Sequence, residues 1–449
     1  LLRPCADRFG PGAECGSIAV LEDRSRPNGR KIAIAFVVLR APTKSPEPVF
    51  LFAGGPGQGS TSLADLATGP FAPVRKIRDV VLVDQRGTGG SNPLLCPTDV
   101  GTNPAGAFGA VFASAVFRKC RVDLSDRADL AHYLTDLAVQ DVDAIRAILG
   151  YGRVLLWGGS YGTRMAQAYL RRYPERVVAM VLDGVVPFSF RAPSGYAASL
   201  QQSVDRVLAD CRTTPTCRDS FPDLDARFAG LVARLRNGPV AARVRTADGR
   251  LSPVVVGLGD FGYAIRGVLY SAGGAREVPG LIHRAAVSGD LSEFAQRYWQ
   301  RAADFGDFAD GLHLSIFCAE DVPHIRDEEI PALAGAAFLG RYLIDDYRTA
   351  CAEWVRAPVD ELIFRPATAR VPTLVVSGWF DPVTPPETGA LVARHLPVSR
   401  HLVVRNQAHG AGFGCARPAV IYVLTQGTLD GLPEVCQSVT NLWSPQADR

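Results

Sequence analysis

The chain lacks any stretch of about eighteen consecutive apolar residues, the length a helix needs to cross the hydrocarbon of a bilayer. Nothing in it predicts a membrane span. It also lacks a charge excess: 48 Lys and Arg face 45 Asp and Glu, and the formal net charge of +3 includes no run of like charge. Without a basic patch or arm, nucleic acid is not an expected partner. No CxxC pair and no Cys/His ligand spacing is present, which removes the usual sequence grounds for a zinc site. Internal repeats and low-complexity tracts are missing too, and 47% apolar with 21% charged residues is the composition of a globular protein with ample core.

What the chain does have is cysteine. Ten residues fall into neighbours along the sequence: Cys5 with Cys15, Cys96 with Cys120, Cys211 with Cys217, Cys318 with Cys351 and Cys415 with Cys436. An even number with five local pairings predicts disulfides and an oxidising compartment, secreted or periplasmic. Buried free thiols are the alternative, and spacing alone leaves the connectivity open. The numbering opens at Leu1 rather than at a methionine, so an export signal removed ahead of it is expected.

Periodicity gives the organisation. Apolar runs at 16–21 and 31–39, joined by a turn-rich 24–29, predict an antiparallel hairpin. Short β-branched or leucine-rich runs at 49–53, 79–83, 154–157 and 177–182 read as parallel strands, the first three followed closely by glycine-containing loops. Helical spacing at 136–149, stopped by Gly150, and at 163–173, stopped by Pro174, completes a strand–helix alternation. That alternation predicts a mostly parallel, doubly wound α/β sheet. From about residue 191 to 366 helical segments dominate (200–211, 224–235 and 291–305), interrupted by one hairpin turning at Asp248-Gly249. Strands at 372–377 and 401–405 then resume the α/β pattern. The expected division is a core at 1–190, a mainly helical cap or lid at 191–366 and a returning core at 367–449.

The run Gly158-Gly159-Ser160-Tyr161-Gly162 sits between the 154–157 strand and the 163–173 helix. A strand, GxSxG and a helix in succession form a nucleophile elbow, in which glycines allow the tight turn and the serine stands at a helix N-terminus. The plainer alternative is a glycine turn whose serine caps the helix. A serine nucleophile needs a base and an acid to orient it, in the order Ser, Asp or Glu, His. Asp381 follows the 372–377 strand within Gly378-Trp379-Phe380-Asp381-Pro382, and His409 follows the 401–405 strand. Asp183, after the 177–182 strand, is the rival acid. His132, His283, His313, His324, His395 and His401 are expected to be surface or packing residues. Gly54-Gly55-Pro56-Gly57 extends the 49–53 strand where the α/β-hydrolase fold places its oxyanion loop. Because Pro56 has no N–H, the expected donors are Gly55 and Tyr161. As a phosphate cradle this loop lacks the lysine of a P-loop.

Together Gly54-Gly55-Pro56-Gly57, the run from Asp84 through Arg86 to Ser91, and Gly159-Ser160-Tyr161-Gly162-Thr163 resemble the proline iminopeptidase and tripeptidyl aminopeptidase family of serine hydrolases. The likeness continues through Tyr173-Pro174-Glu175, Leu182-Asp183-Gly184-Val185 and the Asp381 and His409 segments, and is weakest in the insertion. It implies an α/β-hydrolase fold with a helical cap, a triad of Ser160, Asp381 and His409, and oxyanion donors at Gly55 and Tyr161. It also implies release of residues or short peptides from a free N-terminus without metal or organic cofactor. Ala53 stands where proline iminopeptidases usually carry histidine, which with the cysteines turns the expectation toward the secreted tripeptidyl branch. Cys318-Ala319-Glu320-Asp321 resembles a segment of that branch. Glu320, then Asp321, is the expected partner of a substrate ammonium, held rigid by a Cys318–Cys351 bridge; a helix cap or surface ion pair is the alternative. Asp84 and Arg86 are expected to pin their loop beside the oxyanion glycines. Two other functions share these motifs: an esterase or amidase of small molecules, and a binding protein on a hydrolase scaffold.

Overall fold

The structure is a computed structural model, and it describes residues 2–43, 46–97, 103–109, 114–303 and 308–444. Among the described residues eleven strands follow one another as β1 (Leu2–Pro4), β2 (Ala13–Leu21), β3 (Lys31–Leu39), β4 (Val49–Phe52), β5 (Val80–Val83), β6 (Val154–Gly159), β7 (Val177–Asp183), β8 (Val240–Arg245), β9 (Leu251–Val256), β10 (Thr373–Gly378) and β11 (Ser399–Val404). Nine of them form one sheet in the order β1-β2-β3-β5-β4-β6-β7-β10-β11. β1 to β3 pair antiparallel, β3 meets β5 antiparallel, and from β5 to β11 every pairing is parallel. This is the mostly parallel α/β sheet that the strand–helix alternation predicts, as the resemblance to the hydrolase family also implies.

Parallel strands covered on both faces must be apolar at every position, not at alternate ones. Val49, Phe50, Leu51 and Phe52 of β4 show it: Phe50 and Phe52 join one buried cluster, Val49 and Leu51 the other. The chain order reverses at β4, with β5 on one side and β6 on the other. In open α/β sheets the crevice forms beyond the carboxyl ends of strands flanking such a switch point. The loops leaving β4 and β6 are those of Gly54-Gly55-Pro56-Gly57 and Ser160.

Between β7 and β10 the chain is mainly helical, with helices Ala192–Thr213, Leu224–Asn237, Leu258–Leu269, Ala272–Ser288, Ser292–Ala303 and Tyr342–Ala352 and the two-stranded β8–β9 hairpin. The first of these starts well before the periodicity predicts. Its opening turns contain Pro193, Ser194 and Gly195, poor helix formers, yet Tyr196, Ala197 and Leu200 are buried and tertiary packing overrides propensity. All ten cysteines are paired, each with its neighbour in sequence: 5–15, 96–120, 211–217, 318–351 and 415–436. Among the described residues no helix is long and apolar enough to cross a membrane.

Candidate active site

β6 ends at Gly159 and the next helix begins at Gly162, leaving two residues to reverse the chain. Ser160 takes φ 55°, the left-handed region that a non-glycine residue enters at a cost of roughly 1–3 kcal/mol. Its surroundings hold it there. The Ser160 N–H donates to the Asp183 carbonyl at 2.9 Å, and the Ser160 carbonyl accepts from the Thr163 N–H at 2.9 Å and its hydroxyl at 2.7 Å. The flanking glycines are demanded by close approach, because a β-carbon on Gly158 would lie 2.3 Å from the Gly162 carbonyl oxygen and one on Gly162 2.1 Å from that of Phe52.

Asp381 and His409 come together at the ends of the adjacent parallel strands β10 and β11. The His409 Nδ1–H donates to Asp381 Oδ2 at 2.8 Å, which leaves Nε2 as the free ring nitrogen. Asp381 is completely buried and accepts three further bonds: Val383 N–H at 2.9 Å, Thr384 N–H at 2.8 Å and the Thr384 hydroxyl at 2.6 Å. Burial alone would raise its pKa, but the His409 charge and hydrogen bond, with those from Thr384, hold it below the usual aspartate value. Burial would likewise push His409 down, and the Asp381 charge and bond, helped by Asp183, lift it above the ordinary histidine value. The imidazole lies against Gly184, where a β-carbon would stand 3.1 Å from Cε1. Gly184 follows the Asp183 whose carbonyl anchors Ser160, so serine and histidine share one crevice.

Asp183 is differently employed. Its Oδ2 accepts the Gly412 N–H at 3.0 Å, and burial pushes its pKa up to about 7. Asp381, fixed to Nδ1 and kept ionised, is the carboxylate suited to orient the ring and compensate an imidazolium.

The Gly54–Gly57 loop lies against the serine: a β-carbon on Gly54 would be 3.1 Å from Ser160 Cβ. Gly55 and Gly57 have φ of 110° and 131°, and the Phe308 ring packs over both. One histidine set aside as surface or packing braces this loop. His313 Nδ1 donates to the Pro56 carbonyl at 3.0 Å and Nε2 accepts from the Tyr347 hydroxyl at 2.9 Å, while burial pushes its pKa down to about 4 and keeps it neutral. No local sequence signal could have found this contact, because 257 residues separate the partners.

The acidic pair is buried and bonded within the protein. Asp321 is fully buried, and Arg164 grips its two oxygens at 2.7 and 2.8 Å while the Ala192 N–H adds a bond at 3.0 Å. Glu320, 1% exposed, accepts from the Thr135 N–H and hydroxyl, both at 2.8 Å. The Thr135 hydroxyl in turn accepts from Tyr161 Oη at 2.7 Å, and Gln85 Nε2 donates to that same phenol at 3.1 Å. Both carboxylates are thus engaged inside the protein, Glu320 at the start of the helix Thr135–Ile148 and Asp321 on Arg164. The reason is tertiary: the 318–351 disulfide and the turn Phe317–Asp321 direct the pair toward the two helices that begin at Thr135 and Gly162. Burial pushes Glu320 up to about 7. Asp84 and Arg86 do pin their loop: Asp84 accepts the Thr61 and Gly90 N–H groups, and fully buried Arg86 forks onto Asp141 at 2.7 and 2.9 Å.

Comparison with known proteins gives the family of the chain. A family described as alpha/beta hydrolase fold matches residues 47–238, and one described as TAP-like protein matches residues 336–436. The chain is similar to serine protease Hip1 of Mycobacterium tuberculosis, 30% identical over 425 residues that cover 86% of this chain and 79% of that protein. It is similar also to tripeptidyl aminopeptidase of Streptomyces lividans, 30% identical over 207 residues (42% of this chain, 38% of that protein), and to proline iminopeptidase of Neisseria gonorrhoeae, 31% identical over 138 residues (31% and 32%). A likeness of this extent to Hip1, on this sheet, means that the chain belongs to the α/β-hydrolase family of serine peptidases that includes the proline iminopeptidases and tripeptidyl aminopeptidases.

Proposed function

We propose that this serine peptidase is an exported aminopeptidase in which Ser160 is the nucleophile, His409 the general base and Asp381 its orienting acid. The observation that carries the reading is the 2.8 Å bond from His409 Nδ1 to a buried, ionised Asp381 at the strand ends where Ser160 stands on its strained turn. His409 Nε2 takes the serine proton as Ser160 attacks the scissile carbonyl, then passes it to the leaving amine. Water repeats the sequence to release the acyl group. The N–H groups of Gly55 and Tyr161 bind the oxyanion, Tyr161 because it opens a helix beside the nucleophile and Gly55 because its loop lies against Ser160.

Residues 191–366 act as the cap. The Phe308 ring over the oxyanion glycines and the Tyr270 ring 5.0 Å from the His409 ring support a covered site, which favours chain ends over the middle of a folded protein. The names of the relatives favour the N-terminal end. Five disulfides support export to an oxidising compartment.

The test is a panel of free and N-blocked mono-, di- and tripeptide amides assayed beside simple esters, with Ser160→Ala as control. Turnover of free N-termini only, lost in Ser160→Ala by at least about a thousandfold, is the expected result. Equal turnover of blocked substrates would make the chain an endopeptidase, amidase or esterase, and no turnover at all would revive a binding scaffold.

A further inference from the structure

Among the described residues, one cation near the base has no carboxylate of its own. Arg266, on helix Leu258–Leu269, is half-buried, with its Cζ 4.6 Å from the Tyr263 ring centroid and 5.5 Å from that of Tyr196. Burial disfavours its charge, and the neighbouring phenols of Tyr270, Tyr263, Tyr347 and Tyr196 outweigh that and raise its pKa. Among the described residues no ion pair or hydrogen bond joins it to a carboxylate. Two of these tyrosines fix its place relative to the chemistry. Tyr270 stands edge-on to His409, with ring centroids 5.0 Å apart, and Tyr347 bonds His313, which holds the Pro56 carbonyl of the oxyanion loop. Arg266 therefore lies one helical turn before the ring that meets the base. Arg301, its Cζ 4.2 Å over the Tyr270 ring, adds positive charge at the same edge.

Guanidinium groups withdrawn from water are rarely left without an anion, and cation–π contacts compensate only part of the lost hydration. A planar fork in an aromatic box is suited to a carboxylate, which it binds through two parallel N–H bonds. We propose that Arg266 binds a carboxylate of the peptide substrate, so that the enzyme prefers peptides with a negative charge close to the scissile bond. That carboxylate is an acidic side chain or the C-terminus of a short peptide. The inference rests on the assignment of Ser160, His409 and Asp381, and the experiment separates the two.

Wild-type kcat/KM is measured on fluorogenic peptide amides that differ only in Glu against Gln at the two residues preceding the scissile bond. A second arm compares short peptides ending in a free acid or an amide. Labelling by an uncharged fluorophosphonate reports separately whether Ser160 is competent. We expect wild-type enzyme to prefer the charged member of one arm by roughly ten- to a hundredfold, the worth of a hydrogen-bonded charge. Arg266→Met collapses that ratio toward one, and Arg266→Lys retains part of it. The arm that responds identifies the source of the carboxylate. Labelling without preference in either arm overturns this inference alone, as does a preference that survives Arg266→Met. Failure to label and to hydrolyse overturns the triad assignment and this inference with it. If Arg266→Met does not label, the wild-type ratio and Arg266→Lys decide: an unaltered ratio in Arg266→Lys counts against the proposal.

Discussion

Single side chains at the site are set by competition between burial and hydrogen bonding. Asp381 and Asp183 are both buried at neighbouring strand ends, yet Asp381 has four donors and stays ionised, while Asp183 has the Gly412 N–H and is pushed up to about 7. Donor count separates two aspartates that look equivalent in sequence. Glu320 shows the same accounting at a distance, since it reaches the oxyanion side of the site only through Thr135 and Tyr161. Glu320→Gln replaces one accepting oxygen by a donor that faces Thr135. It should lower kcat/KM by roughly tenfold, the worth of one charge-assisted bond, on free and blocked substrates alike. A loss confined to free-amine substrates would instead make Glu320 the ammonium ligand.

At the level of elements, the cap is tied to the machinery beneath it. Helix Ala192–Thr213 reaches the acid loop, with Ser203 Oγ donating to the Phe380 carbonyl at 2.6 Å and Arg206 to the Trp379 carbonyl at 2.7 Å. The turn carrying Glu320 and Asp321 is stapled to helix Tyr342–Ala352 by Cys318–Cys351, across a sequence separation of 33. Closing a loop of that size removes chain entropy from the unfolded state worth about 4 kcal/mol. The double variant Cys318→Ser/Cys351→Ser should therefore lose on the order of 2–4 kcal/mol in urea unfolding, together with activity, since Glu320 and its Thr135–Tyr161 chain lose their support. Unchanged midpoint and unchanged kcat/KM would show that helix packing alone holds the turn.

For the whole molecule, buried carboxyls make stability depend on pH in an unusual direction. Asp183, Asp310 and Glu320 are each pushed up to about 7, so between about pH 4.5 and 7 the folded chain holds protons that the unfolded chain has released. Their contribution is full below the unfolded carboxyl range and is lost as pH rises through about 7. His409, raised, acts in the same sense at its own higher range. His313, pushed down to about 4, opposes them only below the ordinary histidine value. The urea midpoint should thus be higher at about pH 5.5 than at about pH 8, and Asp183→Asn should narrow the difference. A midpoint that rises with pH over this interval would contradict the assignment.

How much of this was legible depended on the range of the interaction. Strand and helix order, the elbow around Ser160, the order of Asp381 and His409 and the five neighbouring cysteine pairs are written in short stretches, because periodicity, glycine-demanding turns and short loops are local. Helix Ala192–Thr213 extends ahead of the 200–211 periodicity because burial of Tyr196 and Ala197 sets its first turns. The roles of Glu320, Asp321, His313 and Arg266 had no local trace. Each is decided by a partner more than a hundred residues away or, for Arg266, by rings from three stretches of chain, its own helix among them, with no paired acid among the described residues. The sequence by itself determined the fold and the order of its reactive groups, since backbone propensity and hydrophobic pattern act between neighbours. Only the tertiary structure decided which charges are compensated and which face the crevice, since charge compensation depends on distance in space.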